Sequence, residues 1–388
     1  MKIKLLSLLL SLSLILSLAA CGTTGSSVEA SSAAAAQSAP EAVVQPEEIP
    51  EADSVQTEAP ETGAETYIFT DDAGRQVEVP TNVSRIVPSA PLAQIFLLAI
   101  APEMFVGIAS DFDEPARGII PDEMFDLPYF GSLYAGADLN VEELALTDPD
   151  LIIDIGEAKD STVEDLDALQ EQTLIPSVFI SADMESMPET FRKLGKLLGK
   201  EEKGEELAQF LEKIYTQTLD VMDKVGDNKV NALYVLGEEG LNVIAAGSYH
   251  SEVIDMLTNN LAVVDNPLSK GSGNEVTMEQ ISLWNPDFVI FAPGSIYSTV
   301  QDIPSWNQVS AIVSGSYVEV PDSPHNWMSM PPAVQRYLGL IWLTNLLYPD
   351  YCDYDVKAEI MEYYQLFYNC QLTEEQYTTI TTNAFLED

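Results

Sequence analysis

Two stretches of this chain spell one phrase twice, NVEELALTDPDLIIDI at 140–155 and TMEQISLWNPDFVIFA at 277–292, 137 residues apart. Aligned on the prolines, Glu142 pairs with Glu279, Leu146 with Leu283, Pro149-Asp150 with Pro286-Asp287, and Leu151-Ile152-Ile153 with Phe288-Val289-Ile290. Each copy predicts a short helix that stops ahead of the proline, because the residue before proline is pushed away from helical angles. The apolar triplet that follows reads as a parallel strand covered on both faces, since such strands carry unbroken apolar runs. Two copies imply two similar α/β lobes. The glutamates stand outside this structural logic: helix propensity does not call for them, and near the start of an exposed helix the dipole merely tolerates an acid.

The ends of the chain predict where it works. Residues 1–20 carry two lysines, an apolar stretch from Leu5 to Leu18 and small residues, the layout of a secretory signal that is short for a membrane span. Leu18-Ala19-Ala20-Cys21 resembles a bacterial lipobox, which implies a lipidated Cys21 and a chain anchored to the cell membrane on its outer side. From 21 to 66 the composition turns to Ser, Ala, Pro, Glu and Gln, and the nine acids from Glu29 to Glu65 face no lysine or arginine. Such a segment cannot offset its ordering entropy and reads as a disordered, self-repelling tether. About 320 residues remain, comfortable for two lobes.

Net charge is −45, or −47 once the two signal lysines are gone. That excludes nucleic acid as a partner, because phosphate binding needs a basic patch. Beyond Cys21 there are two cysteines, Cys352 and Cys370, flanking a stretch whose Val356, Ile360, Tyr363, Tyr364 and Phe367 recur on one helical face. A helix between them holds them apart, so both are expected as free thiols.

Along the body, YIFTDDAGRQVEVP reads as a hairpin, and SRIVPSAPLAQIFLLAI as a strand, a loop and a helix capped by Ser89. FVGIAS at 105–110 and LNVIAAG at 241–247 read as further strands. The spacing of Leu207, Phe210, Leu211, Ile214, Val221, Met222 and Val225 predicts one long helix over 201–226, long enough to cross between lobes at 67–200 and 227–388. SYHSEVIDMLTNN reads as a helix, SYVEVP as a strand, and PPAVQRYLGLIWLTNLLYP as a helix with proline in its first turn.

The order and spacing of these pieces, notably LPYFGSLYAGADLNVEELALTDPDLII, AAGSYHSEVIDMLTNNLAVVD, GNEVTMEQISLWNPDFVIF and IPSWNQVSAIVSGSYVEVP, resemble the substrate-binding lipoproteins of ABC importers for iron-siderophores, haem and vitamin B12. The resemblance covers nearly all of 67–388. It implies two Rossmann-like lobes with mainly parallel sheets joined by one rigid helix and a ligand cleft between them. It also implies one glutamate per lobe, here Glu142 and Glu279, docking onto arginines of a permease whose cytoplasmic ATPase drives import; the adjacent Glu143 offers a partial substitute.

Candidate ligand residues are Ser89 and Tyr134 in the first lobe and Ser248, Tyr249, His250, Trp327 and Arg336 in the second. Ser89 and Ser248–His250 each join a strand to a helix N-terminus, a ready place for an anion or polar group. Alternatives stand beside several: Tyr134 as a packed ring, His250 as a capping or surface histidine, Trp327 as a lid over a core, and Arg336 in a salt bridge with a local acid.

GxGxxG, P-loop, GxSxG and HExxH patterns are lacking, and two histidines offer little for acid-base or metal chemistry, so no enzyme activity, cofactor or bound metal ion is expected. The ligand expected is a ferric siderophore, haem or a corrinoid. Two alternatives remain: an oxyanion such as molybdate or tungstate in the same fold, and an exported adhesion or scaffold protein without a small ligand.

Overall fold

The structure, a computed structural model, describes residues 65–133 and 139–386. It opens with the expected hairpin, β1 (Thr66–Thr70) against β2 (Gln76–Pro80), turning where Gly74 takes φ +82°. Asp71 in that turn accepts from the backbone N–H of Arg75 and of Phe179, while Arg75 Nη1 donates to Asp71 and to the Ser177 carbonyl, 2.7 Å away. This buried pair docks the hairpin on the first sheet.

That sheet follows as β3 (Ile86–Pro88), α1 (Pro91–Ile100), α2 (Val141–Leu146), β4 (Leu151–Gly156), α3 (Thr162–Thr173) and β5 (Ser177–Ser181), with parallel order β3-β4-β5. Next come α4 (Met187–Leu198) and α5 (Glu201–Val225). The second sheet is built from β6 (Asn231–Leu236), β7 (Asn242–Val243), α6 (Glu252–Leu257), β8 (Asn259–Asn260), β9 (Asn274–Glu275), α7 (Met278–Trp284), β10 (Phe288–Phe291), α8 (Ser310–Ser314) and β11 (Tyr317–Glu319). Its order is β11-β10-β6-β7-β9, with β8 also on β6; β10 is parallel to both β6 and β11. The chain closes with α9 (Arg336–Leu347), α10 (Val356–Phe367) and α11 (Glu374–Ile380).

Strand alternation sorts the apolar side chains. Leu151 and Ile153 of β4, Val178 and Ile180 of β5, and Phe288 and Ile290 of β10 all enter one large cluster with α1, α4, α5, α9 and α10. The intervening Ile152 and Phe179 turn to a small cluster under α2 and α3, and Val289 and Phe291 to another with Ile281 of α7 and Ile312 of α8. Each sheet therefore has a private face and a face given to a common core.

Helix α5, 25 residues and about 38 Å long at 1.5 Å per residue, is the expected bridge, ended by Gly226 at φ +56°. It buries Leu207, Phe210, Leu211, Ile214, Val221 and Val225 in the common core. It crosses α4 at two glycines: a Cβ on Gly204 would lie 2.6 Å from the Phe191 carbonyl oxygen and 3.1 Å from the Gly195 Cα. The backbones touch there, so no side chain fits.

Several sequence expectations change. The stretch 105–110 makes isolated parallel bridges, Ile86 to Phe105 and Ile108 to Tyr129, instead of a strand. The segment divides its pairing between two partners, so neither ladder grows beyond one bridge, and Gly107 between them packs against the Phe130 ring, which lies 1.9 Å from where a Cβ would project. The strand expected over LNVIAAG is the two-residue β7, antiparallel to β6. Proline is not in the first turn of α9: residues 333–337 form successive i→i+3 turns and the helix starts at Arg336. Helices α4 and α11 were not anticipated. Cys352 and Cys370 are free thiols, as expected.

The α4–α5 crossing yields a test. Gly204→Ala gains helix propensity but must separate two backbones in contact, and should destabilise by about 1–3 kcal/mol. Urea denaturation of the two proteins measures it; an unchanged or raised midpoint would show that the crossing relaxes freely.

Candidate functional site

The carboxyl ends of β3, β4 and β5 meet the loops that lead into α6 and α9. Ser89 is fully buried there. Its hydroxyl donates to the Asp154 carboxylate at the end of β4, its N–H donates to Ile153 O, and its own carbonyl accepts from Leu133 N–H at 2.8 Å. It does not cap α1: Ala90 is the cap, with no side-chain bond, because the Ser89 hydroxyl is engaged by Asp154. Gln94 of α1 accepts from the N–H of Ala109 and Ser110 at 2.7 and 3.0 Å and donates to Ser110 O, fixing the neighbouring loop.

From the other half, Tyr249 reaches across and donates its hydroxyl to the Ala182 carbonyl just past β5. Burial pushes this phenol up to about 12, so it stays a donor. Arg336 is fully buried: Nη1 donates to Tyr249 O at 3.1 Å and to the Glu252 carboxylate, and its guanidinium lies 4.7 Å from the centre of the Tyr249 ring. Glu252 in turn accepts from Met184 N–H at 3.2 Å, and Tyr337 donates to Met184 O at 2.7 Å. Tyr249, Glu252, Arg336 and Tyr337 thus form a clasp on residues 182–184.

These contacts correct part of the expected ligand set. Arg336 takes the salt-bridge alternative, with Glu252 as the acid; its Nη2 is buried without a partner, away from solvent. Trp327 is not a cleft platform. It is fully buried in the common core, edge-on to Trp342 at 6.4 Å, and its indole donates to Tyr364 Oη at 3.2 Å. Ser248 spends its hydroxyl on Ala245 O at 2.8 Å, shaping the turn before α6. Tyr134 and Cys21 lie outside the described residues.

His250 remains partly accessible. Its Nδ1–H donates to Ser329 O at 2.7 Å, which fixes the tautomer and leaves Nε2 as an acceptor with no partner among the described residues. Burial lowers its pKa, outweighing the Ser329 bond, and Arg336 lowers it further, so the ring is neutral near pH 7. The chain between β11 and α9 joins this place to a cavity of about 520 Å³ lined by Arg117, Pro293, Asp322, Gln376 and Asn383 among others. Sequence reading had placed no candidate in that cavity. At its margin His325, half-buried between Phe112 and Tyr368, is pushed down to about 4 by desolvation, and its Nε2 is shielded from solvent without a partner.

The repeated phrase folds twice into one device. Asn140 and Thr277 cap α2 and α7 by accepting from the N–H of Glu143 and Gln280. Asp148 and Asn285, at φ 49° and 42°, turn the chain before each proline, and Leu144 and Ile281 are fully buried. Asp150 and Asp287 tie each copy to the chain entering β3 and β6 through Arg85 and Asn231. Glu142 and Glu279 are exposed and have no side-chain partner among the described residues, whereas Glu143 accepts from Asn140 Nδ2 at 2.8 Å.

Asp154 and Glu252 are the site residues that sequence reading missed. Asp154 had a signal: it occupies the place that Phe291 holds in the second copy, a carboxylate in an apolar buried strand. Among the described residues no group of three or more His, Cys, Asp or Glu is arranged to hold a metal ion, and no helix is long and apolar enough to cross a membrane.

The profile of the family described as periplasmic binding protein matches residues 126–324, just over half of the chain. An ABC transporter solute binding protein from Sulfurospirillum deleyianum superposes with a TM-score of 0.72 at 26% identity, covering 81% of this chain and 99% of that one. MolA, the molybdate periplasmic binding protein of a Haemophilus influenzae ABC transporter, solved with molybdate, gives 0.64 at 19% identity over 79% and 99%. The catecholate-siderophore binding protein VctP of Vibrio cholerae gives 0.53 at 18% over 71% and 99%. At such identities the last two speak to fold alone. No curated protein sequence matches.

Two outcomes follow from the geometry. Arg336→Leu leaves Glu252 facing Glu157 without its cation and should cost about 3 kcal/mol by urea denaturation, with little recovered at high salt because buried charges are weakly screened. For His325 the sign is set by burial of the neutral ring: the unfolded chain takes up a proton below about 6.5 that the folded chain refuses until about 4. Stability is therefore full above that window and falls through it as pH falls, by on the order of 3 kcal/mol. Nearby Asp322, raised by burial, Asp113 and Glu319, acts in the opposite sense, so the difference between wild type and His325→Leu isolates the histidine. Equal slopes in both proteins from pH 7.5 to 5 would refute it.

Proposed function

We infer the function from the premise that this chain belongs to the periplasmic binding protein family: it is an extracytoplasmic substrate-binding protein of an ABC importer and performs no reaction. It captures a small solute and works with a membrane permease and its ATPase. The ligand we propose is a metal chelate, a ferric siderophore, haem or a corrinoid, held where the two sheets face each other. Lipidation of Cys21 and the acidic segment 21–66 would tether the receptor to the membrane, with Glu142 and Glu279 as the charges that meet the permease.

The observation that carries the chelate reading is His250. A neutral, half-buried imidazole locked through Nδ1, with Nε2 left as an acceptor without a partner among the described residues, suits an open coordination position or a hydroxyl on a chelate. Asp154 argues against a bare oxyanion. Its carboxylate sits against Ser89, beside the start of α1, where the dipole would otherwise welcome an anion. The acids Glu319, Asp322 and Glu375 around the cavity, against Arg117 alone among its lining cations, point the same way. A cavity of about 520 Å³ lies within the range of roughly 300–1,000 Å³ common to small-molecule sites.

A thermal-shift panel on the purified mature chain, with ferric siderophores, haem, cobalamin, molybdate and tungstate, tests this. A ligand at about 100 times its dissociation constant adds about 2.7 kcal/mol of stability, and His250→Ala should then weaken binding about tenfold or more. A response to molybdate or tungstate alone would replace the chelate by an oxyanion; silence across the panel would favour a scaffold without a small ligand.

A further inference from the structure

The repeated device presents more than a carboxylate. Leu146 and Leu283, which align with each other in the two copies, are 85% and 77% exposed, although both are large and apolar. Each lies four residues after the unpartnered glutamate of its helix, Glu142 or Glu279, and residues at i and i+4 share a helix face. Leu144 and Ile281, two residues before each leucine, are fully buried on the opposite side, so both copies turn the Glu-Leu face outward. The caps at Asn140 and Thr277, the left-handed residues Asp148 and Asn285, and the anchors Asp150 and Asp287 hold this face alike in both halves.

We propose that Leu146 and Leu283 are a matched pair of apolar anchors that seat this protein on the outer face of its permease, each entering a socket beside a cation that meets Glu142 or Glu279. The inference rests on the docking role given above to the glutamates and adds the surface that holds the complex once charge has brought it together. Charge complementarity selects the partner. Neither helix carries a basic residue, so a second copy of this chain would set glutamate against glutamate, whereas a permease surface with cations at two places fits both copies. Rim charges act chiefly on the rate of encounter, and apolar anchors in a socket act on the rate of departure. A face with both features binds quickly and leaves slowly enough for delivery.

The test uses the full lipidated chain in cells that carry its importer. A photo-cross-linking residue replaces Gln280, beside Glu279 but neither an anchor nor a docking charge; the same residue at Val313, 72% exposed on α8, is the control. Adducts are identified by mass spectrometry. The expected result is an adduct between position 280 and a transmembrane subunit of an ABC importer, absent from position 313, and reduced about tenfold or more by Leu146→Ala with Leu283→Ala. These leucines are exposed, so melting of the double variant should be unchanged, which separates lost docking from lost folding. An adduct that survives the leucine variant but disappears with Glu142→Ala and Glu279→Ala would overturn the anchors and leave the docking charges standing. No importer adduct from position 280 in the unaltered background would overturn both.

Discussion

One apolar core serves both sheets. Leucine, valine and isoleucine from alternate positions of β4 and β5 meet phenylalanine and isoleucine from β10 through α1, α4, α5, α9 and α10, and the aromatic stack of Tyr363 on Phe367, with centroids 4.3 Å apart, lies within it. A mainly parallel sheet needs cover on both faces. Here one face is covered privately and the other by helices common to both halves, so neither sheet completes its packing alone. The α4–α5 crossing at Gly195 and Gly204 is how the bridging helix comes close enough to belong to that core.

What the sequence disclosed followed the reach of each signal. The repeated phrase encodes its own cap, left-handed turn, proline and strand within 16 residues, and both copies fold as expected because the signals that shape the helix and its stop are local. Helix α5 was equally plain from its periodicity. Trp327 was not legible: the side chain that takes its indole proton, Tyr364, arrives 37 residues later on α10. Arg336 and Glu252 are 84 residues apart, and sequence offers many acids among which to choose. FVGIAS misled because a strand pattern says nothing of partners, and here the pairing is split between Ile86 and Tyr129.

The polar features divide by location. Glu142 on α2 and Glu279 on α7 are solvated and have no side-chain partner among the described residues, which leaves them available to another molecule. Polar groups near the meeting of the halves are spent inside: Ser89 on Asp154 and Arg336 on Glu252. Buried pairs of this kind fix geometry more than they add stability. His250 is the exception, held through one nitrogen and without a partner at the other among the described residues.

The clasp on residues 182–184 has a counterpart on the far side, where Cys370 and Gln376 donate to the Gly118 carbonyl at 3.3 and 3.4 Å. Fastened at both edges and splinted by α5, the halves can hinge only by breaking these contacts, so the change expected on loading in the spacing between the two outward glutamates is small. A partner that gauges only that spacing receives no message about loading. The signal that the receptor is full has to come from the cargo itself, filling the gap between the halves and touching whatever covers it.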